Sequence, residues 1–144
     1  MESLIMRFNG IYVPLVTPFN ADGSLDVETL KVLTQSFIDK GVSGLVACGT
    51  TGEYYALTEA ERETVLKTVA SVAKGKVTLI AGANDLSTEG ACRRAKEALA
   101  LGYEALMVAP PAYSLPDQAG VIAHYEAVAK ATDLPIIMYN FPAR

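Results

Sequence analysis

Five short runs of this chain, at 10–17, 44–49, 77–83, 105–109 and 135–140, are almost wholly apolar rather than alternating. That pattern predicts parallel strands covered on both faces. Between them, apolar residues recur at three- and four-residue steps, which predicts helices. The first helix carries Leu30, Leu33, Phe37 and Ile38, and the second Val65, Val69, Val72 and Ala73. The third carries Ala91, Ala95, Ala98 and Leu99, and the fourth Val121, Tyr125 and Val128.

The punctuation agrees. Thr58 and Glu61 have the spacing of a capping box. Asp26 and Ser87 are expected N-caps. Gly41, Gly75 and Gly102 each follow a predicted helix, as C-terminal caps do. No linker, low-complexity stretch or second domain is visible, so residues 1–144 are expected to form one domain. Four strand–helix units plus a fifth strand imply an α/β fold with a parallel sheet, either doubly wound or part of a (β/α)₈ barrel. Periodicity does not choose. A flavodoxin-like sheet suits the length, whereas a barrel typically needs ~250 residues.

Composition narrows the function classes. The chain has 144 residues, 51% of them hydrophobic, with a net charge of −4. There is no basic run interleaved with aromatics, which argues against nucleic acid as a partner. No apolar segment reaches the ~18 residues of a membrane span. The first residues lack a signal peptide's apolar stretch, so the cytoplasm is the expected compartment. Cys48 and Cys92 are expected to be small buried thiols. His124 has no second histidine or cysteine cluster at ligand spacing, so no metal is expected, and no cofactor is implied.

In either architecture, functional groups gather at the C-terminal ends of the strands. Those ends carry Thr17-Pro18-Phe19, Gly49-Thr50-Thr51-Gly52-Glu53, Gly82-Ala83-Asn84-Asp85, Pro110-Pro111-Ala112-Tyr113 and Tyr139-Asn140. The Gly-Thr-Thr-Gly-Glu corner joins small residues to two hydroxyls, a combination able to hold a carboxylate or phosphate. Singly, each residue has a plain structural use: Thr50 and Thr51 as a turn with a hydroxyl cap, Tyr139 as a core aromatic, Tyr113 in a stiff proline loop, Arg144 as a solvated end. Their joint placement at one rim is what suggests a site.

Three motifs carry a resemblance: Val16-Thr-Pro-Phe19, Gly49-Thr-Thr-Gly-Glu53 followed by Ala56-Leu57-Thr58-Xaa-Xaa-Glu61, and Tyr139-Asn-Xaa-Pro-Xaa-Arg144. From about residue 10 to the last, the chain resembles the dihydrodipicolinate synthase/N-acetylneuraminate lyase family of class I aldolases. The resemblance implies a (β/α)₈ barrel of which this chain covers the N-terminal part, four βα units and a fifth strand. It implies an enzyme that forms an imine between a lysine and pyruvate or another 2-keto acid, in a homo-oligomer, usually a tetramer of two tight dimers. By the same resemblance Thr50 and Thr51 hold the substrate carboxylate. Tyr139 relays protons, its hydroxyl bonded to Thr51. Tyr113 reaches across the dimer to complete the relay, and Arg144 assists acidic substrates at the mouth of the site.

Within that resemblance Arg144 favours the synthase branch, which implies condensation of pyruvate with aspartate semialdehyde. A sugar-acid aldolase or dehydratase of the same family is the alternative, and a non-catalytic half-barrel or carboxylate-binding module is the alternative from another class. The seven lysines are Lys31, Lys40, Lys67, Lys74, Lys76, Lys96 and Lys130. None is expected at the right rim, so the chain alone is expected to be inactive. Tyr54, Tyr55, Leu86 and Ala112 depart from the family's usual residues where regulated synthases bind lysine, which implies no lysine feedback.

Overall fold

The computed structural model describes residues 8–142. Five strands alternate with four helices: β1 (Tyr12–Pro14), α1 (Val27–Asp39), β2 (Gly44–Ala47), α2 (Glu59–Ala73), β3 (Thr78–Gly82), α3 (Thr88–Ala100), β4 (Ala105–Val108), α4 (Gln118–Ala131) and β5 (Ile136–Met138). The caps form as the sequence predicts. Thr58 and Glu61 make both bonds of a capping box. Asp26 accepts from the Thr29 N–H at 2.9 Å, and Ser87 from the Gly90 N–H at 3.0 Å. Asp117, which the sequence reading passed over, caps α4 in the same way.

The strands are shorter than the apolar runs. In β1, Pro14 has no N–H to give to a ladder, and the Leu15 N–H makes the next bond, to Val46 O at 2.9 Å. In β2 the run stops at Ala47 because Cys48 turns the chain with a left-handed φ of 55°.

All four ladders are parallel, and the strand order is β1-β2-β3-β4-β5. A doubly wound sheet reverses its order at a switch point; here each strand lies beside the next one in sequence. That consecutive order is the arc of a barrel wall.

Alternation along the strands then sorts two clusters. Leu45, Ala47, Leu79, Ala81, Leu106 and Val108 join the larger core with residues from all four helices. Val46, Ile80 and Ala105 point the other way, where Phe8, Tyr12, Met107 and Ile137 pack against them. Both faces are therefore apolar, as the unbroken runs require, yet the helix residues all belong to one cluster. Side chains of the strands themselves, together with Phe8, line the opposite face. Burying a side chain such as Leu106 fully is worth about 1.5–3 kcal/mol, so the helix-covered face dominates the stability. The outer strands stay bare: Ile11 beside β1 is 69% exposed and Met138 on β5 is 62% exposed.

The helices pair as α1 with α2 and α3 with α4. Ion pairs tie the seam between α2 and α3. Buried Arg62 sits 3.4 Å from Glu97, and Arg94 sits 2.9 Å from Glu59. Among the described residues no helix is long and apolar enough to cross a membrane.

Candidate functional site

The corner after β2 is built by tight turns. The N–H groups of Gly52 and Glu53 bond back to Gly49 O and Thr50 O, each at 3.0 Å. Cys48 and Glu53 flank it with left-handed φ of 55° and 53°, a conformation that costs non-glycine residues energy and concentrates at functional turns. Two contacts hold it down. The Thr17 hydroxyl, buried, donates to Gly52 O at 2.7 Å. Gly82 of β3 lies so close beneath that a Cβ there would fall 2.1 Å from Cys48 O. The corner's own turns use the N–H groups of Gly52 and Glu53. The Thr50 and Thr51 side chains remain exposed.

The neighbouring strand ends are tied in series. Asn84 follows β3, and its Oδ1 accepts from the Ala109 N–H after β4 at 2.7 Å. The Tyr139 N–H after β5 donates to Val108 O at 2.8 Å. From α4, the Tyr125 hydroxyl also donates to Val108 O, at 2.9 Å. Arg94 stands behind Asn84. Its Nη1 donates to Asn84 O and its Nη2 to Glu59, both at 2.9 Å, and its Nε is 2.9 Å from Asp85 Oδ2. Burial pushes the Asp85 carboxyl up, but the Ser87 N–H bond and the Arg94 charge outweigh it and hold its pKa below 3.8.

Two of the cavities at this end of the sheet border the threonine corner. One, of about 350 Å³, lies against the face away from the helices and is lined by Val46, Met107, Thr50, Thr51, Asn84 and Tyr139 among others. The other, of about 220 Å³, is walled by Tyr54, Tyr55, Pro110 and Phe141, and shares Thr50, Asn84 and Tyr139 with the first. Thr50, Thr51 and Tyr139 are therefore brought together although Tyr139 lies far along the chain. The expected hydroxyl contact is a correction. Among the described residues no hydrogen bond joins Thr51 to Tyr139. Tyr139 follows β5, the last strand of the described sheet, and is 48% exposed, so among the described residues its ring is open on one side. Tyr113 lines neither cavity and is 87% exposed. Arg144 lies outside the described residues.

The lysines are elsewhere. Lys31, Lys67, Lys96 and Lys130 lie within α1 to α4, and Lys40 and Lys74 cap α1 and α2. Lys76 borders a cavity with Ser43, Thr78 and Glu104, at the opposite end of the strands. Burial pushes the Cys48 thiol up to about 11, far from the range of a reactive thiolate. Burial also lowers the pKa of His124, whose Nδ1 is 2.9 Å from the Thr88 hydroxyl. Among the described residues no three His, Cys, Asp or Glu side chains gather as a metal site would need.

Comparison with known proteins decides the lineage. The Dihydrodipicolinate synthetase family matches residues 7–144. The 4-hydroxy-tetrahydrodipicolinate synthase of Roseobacter denitrificans is 47% identical over 137 residues, which is 95% of this chain and 47% of that protein. A crystal structure of dihydrodipicolinate synthase superposes with a TM-score of 0.91 at 38% identity, over 95% of this chain and 47% of its own. The 4-hydroxy-tetrahydrodipicolinate synthase of Methylacidiphilum fumariolicum gives 0.92 at 32% identity, over 96% of this chain and 46% of its own.

The chain belongs to the dihydrodipicolinate synthetase family. It spans about half the length of the curated relatives it matches. The consecutive parallel sheet is accordingly a partial (β/α)₈ barrel. Membership in the synthetase family also sets the rim in context: barrel enzymes carry their chemistry at the C-terminal ends of the strands, the end that holds both cavities.

The sequence reading gave no role to Asn84, Thr17 or Arg94. Asn84 had one signal, a polar residue directly after an apolar strand. The bonds made by Thr17 and Arg94 cross 35 residues each, to Gly52 and Glu59, and local pattern carries no trace of them.

Proposed function

We propose that this chain, as a single domain, supplies the 2-keto-acid-binding part of a class I aldolase-type lyase that makes or breaks a C–C bond. The leading reaction is condensation of pyruvate with aspartate semialdehyde, as the names of its relatives suggest. One observation carries the reading: Thr50 and Thr51 from the corner after β2 and Tyr139 from beyond β5 line one cavity at the same end of the sheet.

The chemistry fits those groups. A carboxylate seeks convergent donors, which the two threonine hydroxyls offer. An uncharged lysine amine adds to the ketone carbon. The ketone oxygen then takes up protons and leaves as water, giving the imine. The phenol of Tyr139 passes those protons. Tyr113, exposed on its loop, serves a partner subunit's site in a homo-oligomer, and Arg144 receives the acidic second substrate. No lysine of this chain borders the cavities, so the imine lysine comes from outside it, and the chain alone is inactive. The cytoplasm is the compartment that suits such a reaction.

The test is reductive trapping. The 144-residue chain treated with pyruvate and borohydride should gain no mass, whereas a longer product of the same reading frame should gain one stoichiometric adduct that Tyr139→Phe slows at least about 100-fold. An adduct on any of the seven lysines named above would overturn the assignment.

A further inference from the structure

The two cavities have a polar wall that the threonines and the tyrosine do not account for. Asn84 borders both of them, as do only Thr50 and Tyr139. It is 6% exposed, so its side chain is withdrawn from solvent except where the cavities reach it.

The orientation of its amide is fixed by chemistry. A backbone N–H can only donate, so the atom 2.7 Å from the Ala109 nitrogen is the carbonyl oxygen Oδ1. The nitrogen Nδ2 is the other branch of the planar amide. Among the described residues it has no acceptor, and it is not sealed inside the protein like the Arg62 nitrogens. Buried donors as a rule find partners; this one is left two N–H groups at the boundary of two cavities. Its backbone is also held still. The Asn84 carbonyl accepts from Arg94 Nη1 at 2.9 Å, and Arg94 is itself ion-paired at 2.9 Å with both Asp85 and Glu59. A donor fixed in place before the ligand arrives loses little freedom on binding it.

We propose that Asn84 is a ligand-binding residue of this groove, its Nδ2–H donating to a carboxylate or carbonyl oxygen of the bound 2-keto acid. The inference rests on the 2-keto-acid reading above and adds to it a neutral donor in the cavity that the threonines line. Asn84 thereby has two separate jobs: Oδ1 joins the ends of β3 and β4, and Nδ2 serves the ligand.

Asn84→Asp separates the two jobs. It keeps an oxygen for the Ala109 N–H and replaces the cavity-facing donor by a charged acceptor of the same shape. In the full-length protein this variant should melt within about 2 °C of the wild type yet bind pyruvate, followed by calorimetry, at least about tenfold more weakly. Wild-type affinity for pyruvate in Asn84→Asp overturns the inference and leaves the 2-keto-acid reading standing. A wild-type protein that does not bind pyruvate overturns that reading, and this inference with it. Should Asn84→Asp fail to fold, the side-chain NH₂ resonances of Asn84 in the ¹⁵N-labelled wild type decide. Movement on adding pyruvate supports the inference, and fixed positions while the Thr50 and Thr51 amides move overturn it.

Discussion

At the C-terminal ends of the strands the backbone is crowded and bent. Cys48 and Glu53 hold left-handed φ, Thr17 clamps Gly52, and Gly82 leaves no room for a Cβ. At the N-terminal ends the picture is looser. Ser43, Lys76, Thr78 and Glu104 border an open polar cavity, and Lys76 donates to Gln35 at 3.2 Å across the surface. The comparison teaches where this fold concentrates its constraints. Both rims carry bonds between distant strands, such as Thr78 N–H to Ser43 O at 3.1 Å at the N-terminal rim; the rim with the candidate chemistry adds a buried side-chain clamp and left-handed non-glycine turns, where the other has glycine turns and solvated charge.

The largest effect should come from adding one methyl group at each rim. Gly82→Ala would put a Cβ 2.1 Å from the Cys48 carbonyl oxygen, which is backbone and can yield only by opening the β2–β3 ladder. We expect a loss of about 3 kcal/mol or more in urea unfolding. Gly75→Ala at the opposite rim meets nothing within 4 Å, and its φ of 76° sets the cost at about 1 kcal/mol. Equal losses would dissolve the contrast.

A middle-sized effect should follow pH. Asp85 has its folded pKa held below 3.8. Its contribution is therefore fully present above that unfolded value and is lost as pH falls through the folded one. Asp85→Asn should cost about 1.5 kcal/mol at neutral pH and should flatten the acid limb of the stability profile, measured by thermal melts at pH values from neutral to below 3.8. An unchanged acid limb would remove Asp85 and Arg94 from the account of the rim.

The smallest effect belongs to Lys76→Gln. The side chain bonds Gln35 in the open, so stability should move by less than about 0.5 kcal/mol. A larger change would mean that the N-terminal rim also carries structural weight.

Much of this architecture was legible in the chain. The apolar runs marked the strands, and Thr58, Asp26 and Ser87 marked helix starts that the bonds to Glu61, Thr29 and Gly90 bear out. Strand ends were overextended where conformation departs from residue type: Cys48 looks like a strand residue and turns left-handed. Strand order was beyond periodicity, because doubly wound sheets and barrels share the same alternation; pairings such as Gly44 with Thr78 decide it. The convergence of the threonine corner with Tyr139 was legible through motifs. Asn84 was legible as a polar residue at a strand end, but the bond that orients its side chain spans 25 residues and was not.

The consecutive order of the strands has a consequence for how the chain assembles. Among the described residues every ladder closes between one βα unit and the next, so each of these strands after the first finds a partner in the one made just before it. Such a sheet can grow unit by unit as the polypeptide leaves the ribosome, each new strand docking on an edge already formed.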